Sequence, residues 1–289
     1  MTGIILLNKP ENFKSTDCVN IIRKKLGNIK TGHAGTLDST ASGLLITLTG
    51  SASRLSDFIM TLPKIYIAEI KFGAETDTCD YSGEIIYTGD YSHVNNNLID
   101  SALYSFMGIR EQVPPEISAL KINGKPAYKI KRSGQEVNIK PRAVMIYKIS
   151  RISDYYEGVV KIKIICGKGT YIRSIARDLG RKFKCGAHLK SLVRFSVGNF
   201  TVESDFINSP LDENFKILPV NSIAENFNQV RLNAFDTKKF FNGIAIPVTH
   251  VEKFKPGLNS QICILDDNNI GFAELKSGFL KPFANIKTC

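Results

Sequence analysis

The chain has 289 residues, 43% of them hydrophobic, enough to bury one large core or two unequal ones. It carries 38 Lys plus Arg against 27 Asp plus Glu, a formal net charge of +11 with a sequence pI near 9.3, which suits a polyanionic partner and equally a soluble protein that is simply lysine-rich. No apolar run reaches the ~18 residues of a membrane span, and six cysteines (18, 79, 166, 185, 263 and 289) without a Cys-x-x-Cys pair argue against zinc ligation or a disulfide frame.

Ile4 to Leu7 reads as a short buried strand closed by Pro10. Ser15 is placed to cap a helix, with Asp17 in its first turn, Val19, Ile22 and Leu26 on one face, and Gly27 at its end. A Gly-rich turn follows, Gly32-His33-Ala34-Gly35-Thr36-Leu37-Asp38-Ser39-Thr40-Ala41-Ser42-Gly43, and then a buried strand near Leu44 to Leu48. A short helix is expected around Leu55 to Met60, a strand over 65–72, and a hairpin turn at Asp80-Tyr81-Ser82-Gly83 into Glu84 to Tyr87. Asn97 to Met107 has helical spacing. Residues 109–140 look irregular and basic, with a short strand at Ser118 to Ile122 and a helix near Ala127 to Arg132. Strands over about 142–154 and 158–166 follow. Thr170 then caps an amphipathic helix, Ile172 to Phe183, with Arg177, Arg181 and Lys182 outward. Residues 208–228 read as a linker, and Val230 to Ile286 as a small β-rich appendage. The pattern is α+β, with a mixed, mainly antiparallel central sheet and flanking helices.

The Gly-rich turn offers a candidate reactive group. Glycines let the backbone bend sharply and let a ligand approach closely, and Asp38 is presented among them with His33 nearby. From spacing alone, a surface turn capped by Asp is an equal reading. A phosphate-binding loop is excluded. Gly27 to Gly32 has Gly-x4-Gly spacing, but His33-Ala34 replaces the required Lys-Ser/Thr, and a helix rather than a strand precedes it. The histidines at 33, 93, 188 and 250 have no metal-ligand spacing.

The turn resembles the catalytic loop of the TruB-type tRNA pseudouridine synthases, roughly Gly-His-x-Gly-x-Leu-Asp-Pro-x-Ala-x-Gly. Other blocks resemble that family in the same order: Asn8-Lys9-Pro10; Lys64-Ile65-Tyr66 with Thr76-Asp77-Thr78-Cys79-Asp80; Pro114-Pro115 with Ser118-Ala119-Leu120-Lys121; Lys168-Gly169-Thr170-Tyr171-Ile172-Arg173; and Cys185-Gly186-Ala187-His188-Leu189 through Leu192 and Arg194. Two positions depart from the pattern. Ser39 stands where proline usually follows the aspartate, so φ is less rigidly preset, and Ile117 stands where a tyrosine commonly precedes Ser-Ala.

The resemblance implies a pseudouridine synthase domain over 1–227, with an RNA-binding insertion at about 109–140, and a PUA-like RNA-binding domain over 228–289. It implies conversion of uridine to pseudouridine in the TΨC loop of tRNA, position 55, by base flipping. The N1–C1′ bond breaks and C5 reattaches without net redox change, so no cofactor is expected. Asp38 is the implied reactive carboxylate. A carboxylate in a pocket stays ionised only beside a cation, and Arg173 matches the family's partner. Tyr66 and Tyr171 match residues packing on the uracil and Leu192 an apolar wall. His33 is placed to fill the stack the base leaves, and Lys9 to brace the site or meet a phosphate. The implied protein is a cytoplasmic monomer acting on the tRNA T-arm, without guide RNA or membrane. The competing reading is a non-catalytic RNA-binding protein or tRNA-folding chaperone. A further relative is the catalytic subunit of a guide-RNA-directed particle, against which the short chain and absence of basic tails argue.

Overall fold

The computed structural model describes residues 2–287 apart from 119, 123, 134, 136–138, 267 and 268, with backbone alone at 121, 122, 126, 128, 132 and 259. The chain begins β1 (Gly3–Lys9), α1 (Ser15–Lys25), β2 (Thr31–His33), β3 (Ser42–Thr49), α2 (Ser56–Thr61), β4 (Lys64–Phe72), β5 (Ala74–Thr76) and β6 (Ile85–Thr88). It continues with α3 (Asn96–Tyr104), β7 (Gly108–Gln112), β8 (Lys121–Ile122), β9 (Lys125–Pro126), α4 (Ala127–Arg132), β10 (Arg142–Arg151), β11 (Val159–Cys166), α5 (Ile172–Lys182) and β12 (Ala187–Val197). The last part holds β13 (Phe200–Thr201), β14 (Ile207–Asn208), β15 (Phe227–Arg231), α6 (Ala234–Phe241), β16 (Ile246–Pro247), β17 (Lys253–Lys255), β18 (Asn259–Leu265), β19 (Asn269–Lys276) and β20 (Phe279–Lys287). These form two units, one from Met1–Pro63 with Ser196–Cys289 and one from Lys64–Phe195.

In the first unit β1 runs antiparallel to β3 over its whole length, from Gly3 opposite Thr49 to Lys9 opposite Gly43. The run Ile4-Ile5-Leu6-Leu7 is continuously apolar because both of its faces are buried. Ile4 and Leu6 join Leu44, Ile46, Phe58, Phe227 and Phe272 on one side, while Ile5 and Leu7 join Leu45 with Cys18 and Ile22 of α1 on the other. β2 pairs with β3 from Thr31 opposite Thr49 to His33 opposite Thr47. The C-terminal strands form their own sheet in the order β16-β20-β19-β18-β15-β17. In that sheet β15 and β18 are parallel and the other pairs antiparallel. On it α6 packs Phe240 among Val230, Ile264 and Leu280, and the Asn233 side chain accepts the Asp236 amide at its N-terminus.

The segment read as a linker contributes an edge strand. Ile207 and Asn208 pair in parallel with Leu6 and Leu7. The Asn208 side-chain amide donates to the Leu6, Phe206 and Lys216 carbonyls. A strand of two residues held by a side chain leaves no alternation to detect.

The second unit orders its strands β12-β4-β11-β10-β7. The β4/β11, β11/β10 and β10/β7 pairs are antiparallel. Ala68 and Ile70 of β4, Ile162 and Ile164 of β11 and Ile149 of β10 are buried, with α3 packed on β10 and α5 on β4. Arg177, expected outward, is buried: its Nη2 donates to the Val113 carbonyl and its Nε to the neighbouring Asp178 carboxylate. A guanidinium with both hydrogen bonds and a counter-ion can stand where helical periodicity calls for a polar surface.

Gly180 of α5 is fixed by close approach. A Cβ there would lie 2.1 Å from the Ala187 amide nitrogen and 2.4 Å from the Gly186 carbonyl carbon, both backbone atoms. Gly180→Ala is therefore expected to destabilise by about 3 kcal/mol, read as a lower urea midpoint. Gly32→Ala, whose Cβ meets open space, is the control and should leave the midpoint nearly unchanged.

Candidate active site

Asp38 lies between β2 and β3, where the chain leaves one ladder and has not entered the next. Ala34, Leu37 and Ala41 point into the core and anchor the loop, leaving Asp38 half-exposed. Gly35 and Gly43 stand at φ +100° and +103°, a backbone conformation that side chains disfavour. The loop backbone is fastened on both sides of Asp38. Before it, the Ser15 hydroxyl donates to the Leu37 carbonyl at 2.8 Å and accepts the Leu37 amide at 2.9 Å. After it, the Ser39 carbonyl accepts the Asn12 amide at 2.8 Å, and the Ala41 amide closes on the Asp38 carbonyl at 3.2 Å.

Lys9 belongs to this fastening. It is fully buried, and its ammonium donates to the Pro10 and Phe13 carbonyls at 2.8 and 2.7 Å and, more weakly, to that of Ser39 at 3.4 Å. His33, the last residue of β2, is half-buried, and its carbonyl accepts the Ser56 hydroxyl at 3.3 Å. Thus Lys9 and Asp38 are tied through Ser39, with His33 at the base of the same loop.

The other predicted residues belong to the second unit. Tyr66 sits in β4 opposite Ile164, half-buried. Leu192 is a buried residue of β12. Tyr171 precedes α5, and its peptide groups are clasped by the Gln112 side chain. The Tyr171 amide donates to Gln112 Oε1 at 2.8 Å and its carbonyl accepts Gln112 Nε2 at 3.0 Å. The Arg142 guanidinium lies 4.7 Å from the centre of the Tyr171 ring, a cation–π arrangement. Arg173 is buried and donates through Nη1 to the Thr78 and Ile117 carbonyls at 2.9 and 3.1 Å, with Asp80 Oδ2 3.8 Å away. The Asp80 carboxylate is organised by its own loop, accepting the Thr78 hydroxyl, the Ser82 amide and the Ser82 hydroxyl.

Ser15, Asn12, Gln112, Arg142 and Asp80 escaped the sequence reading as site-supporting groups. Asp80 alone had a local signal, since Thr78 and Ser82 flank it at Asx-turn spacing. Gln112 bonds across 59 residues, which no local pattern reveals. Gln112→Ala would leave two polar groups of the Tyr171 peptide unsatisfied and is expected to cost about 2 kcal/mol in urea unfolding. Gln112→Glu should cost more, because its carboxylate faces the Tyr171 carbonyl in place of a donor.

The five described cysteines are buried and unbridged. Burial pushes the Cys79 and Cys166 thiols up to about 11 and that of Cys263 up to about 12. At neutral pH these three are protonated and are not nucleophiles. In the basic segment Lys125, Lys129 and Lys131 are exposed, and Lys131 pairs with Glu116 at 2.6 Å. The side chains of Lys121 and Arg132, in the same basic segment, lie outside the described residues, as does Ala119.

Fold and site together define an α+β protein that presents a carboxylate from a pinned loop. Residues 23–172 match the family described as TruB family pseudouridylate synthase, N-terminal domain. The tRNA pseudouridine synthase B of Aquifex aeolicus is 35% identical over 289 aligned residues, covering 98% of each chain. That of Clostridium kluyveri is 39% identical over 249, covering 85% of this chain and 86% of the relative. The chain belongs to the TruB family of pseudouridine synthases. Among solved structures, a Cbf5-Nop10-Gar1 complex contains a chain with the same fold, at a TM-score of 0.74 and 22% identity, over 99% of this chain and 85% of that one.

Proposed function

We propose that this protein converts uridine to pseudouridine in the TΨC loop of tRNA, at position 55, with Asp38 as the reactive carboxylate. The observation that carries the reading is the half-exposed Asp38 on a loop whose backbone is fastened on both flanks. The relatives' name, tRNA pseudouridine synthase B, supports tRNA as the substrate.

The target base must leave its stack, at a cost of a few kcal/mol. His33 fills the vacated place, and Tyr66 and Tyr171 hold the uracil against Leu192. Asp38 supplies the reacting carboxylate and Arg173 the cation of the site. The N1–C1′ bond breaks, the base turns, the C5–C1′ bond forms, the C5 proton leaves to solvent, and N1 takes up a proton from solvent. Lys9 we assign to the loop rather than to RNA, since its buried ammonium faces protein carbonyls. Residues 1–227 form the catalytic domain, with an RNA-binding insertion at about 109–140, and 228–289 a PUA-like RNA-binding domain. The enzyme works as a cytoplasmic monomer without guide RNA.

Because C5 exchanges its hydrogen for carbon, tRNA transcribed with uridine tritiated at C5 reports the reaction directly. One tritium released to water per tRNA, without added guide RNA, is the expected result. Bound tRNA with no release would replace the enzyme reading with that of a binding protein.

A further inference from the structure

Ser15 was expected to cap α1. The N-cap position belongs instead to Lys14, whose side chain makes no capping bond. The Ser15 hydroxyl is turned to Leu37, 22 residues away, where it bonds both polar groups of that peptide residue at 2.8 and 2.9 Å. Ser15 is buried, as is the Leu37 side chain. A hydroxyl supplies one donor and two acceptor lone pairs, so a single side chain does here what a neighbouring strand does in a ladder. Leu37 lies between β2 and β3, where the loop departs from both.

We propose that Ser15 is a positioning residue for the reaction: its two-way bond to Leu37 fixes the peptide immediately before Asp38 and so fixes where the carboxylate stands. The inference rests on Asp38 being the reacting group. The Ser39 carbonyl is already held by Asn12 and Lys9. Ser15 therefore completes the second of two anchors, and with both in place only the side-chain torsions of Asp38 remain to be set. Releasing one anchor lets the carboxylate drift, and a misplacement of about 1 Å costs on the order of 100-fold in rate. Since Ser15 makes no capping bond, Ser15→Ala keeps the helix-forming character of this turn, alanine being the best helix former.

The test compares wild type and Ser15→Ala in single-turnover pseudouridine formation, tRNA affinity and amide hydrogen exchange. The variant is expected to react roughly 10- to 100-fold more slowly, bind tRNA within about twofold of wild type, and exchange faster only over 34–41. A rate within about twofold of wild type overturns the proposal. So does a rate loss accompanied by equal loss of tRNA affinity and by faster exchange throughout, which is the signature of a merely structural serine. Wild type alone provides a second check: the Leu37 amide should be protected like a strand amide, and rapid exchange there overturns the clamp without any variant. If Asp38→Ala kept the wild-type rate, the reading of Asp38 would fail while the exchange result still stood.

Discussion

Asp38→Ala is expected to eliminate pseudouridine formation, lowering the single-turnover rate by roughly four orders of magnitude or more, while tRNA affinity stays within a few-fold. The separation of the two effects follows from how the loop is built. Ser15, Asn12 and Ala41 hold its backbone groups and Leu37 anchors it in the core, and the variant keeps all of these. Alanine keeps the carbonyl that accepts the Ala41 amide, so the turn survives. Asp38→Asn, which keeps the shape and removes the charge, should be as inactive as alanine. Activity surviving in either variant would transfer the chemistry to another group.

Arg173→Met is expected to damage both stability and rate. The guanidinium is buried and serves the Thr78 and Ile117 carbonyls beside the Asp80 carboxylate. Methionine fills the volume but leaves two carbonyls without that donor and a buried carboxylate without that cation. Removing one member of a buried ion pair costs about 3–5 kcal/mol. Here the gap of 3.8 Å and the three hydrogen bonds Asp80 accepts from its own loop reduce the cost to about 2–3 kcal/mol. The rate should fall by roughly 100- to 1000-fold, the range seen when a charge-stabilising donor is removed. A urea titration and a single-turnover assay on the same preparation check the two effects. Arg173→Lys retains charge but not the planar fork, and should recover only part of either.

What the sequence made legible was local. The continuous apolar run of β1, the spacing along α1 and α3, the turn that leads into β6 and the strands β10 and β11 each announce themselves within a dozen residues, whereas β5, the three-residue partner of β6, does not. The Asp38 loop was legible through its glycines and its family resemblance. What supports the loop was not. The Ser15 bond spans 22 residues, the Gln112 clasp 59 and the Arg173–Thr78 bond 95, and each depends on where the fold delivers a side chain. Ser15 misled because a serine before an apolar-periodic run is the usual sign of a cap, and here its hydroxyl had a better-buried use. Arg177 misled in a similar way: periodicity separates polar from apolar faces and is blind to a polar side chain that finds partners in the interior.

The most direct measurement is to incubate unmodified tRNA transcript with the purified protein, without guide RNA, and map pseudouridine at single-nucleotide resolution, with Asp38→Ala in parallel. Pseudouridine confined to the TΨC-loop uridine and absent with the variant is the predicted result. An unmodified TΨC loop with wild type, or the same modification with the variant, would contradict the account.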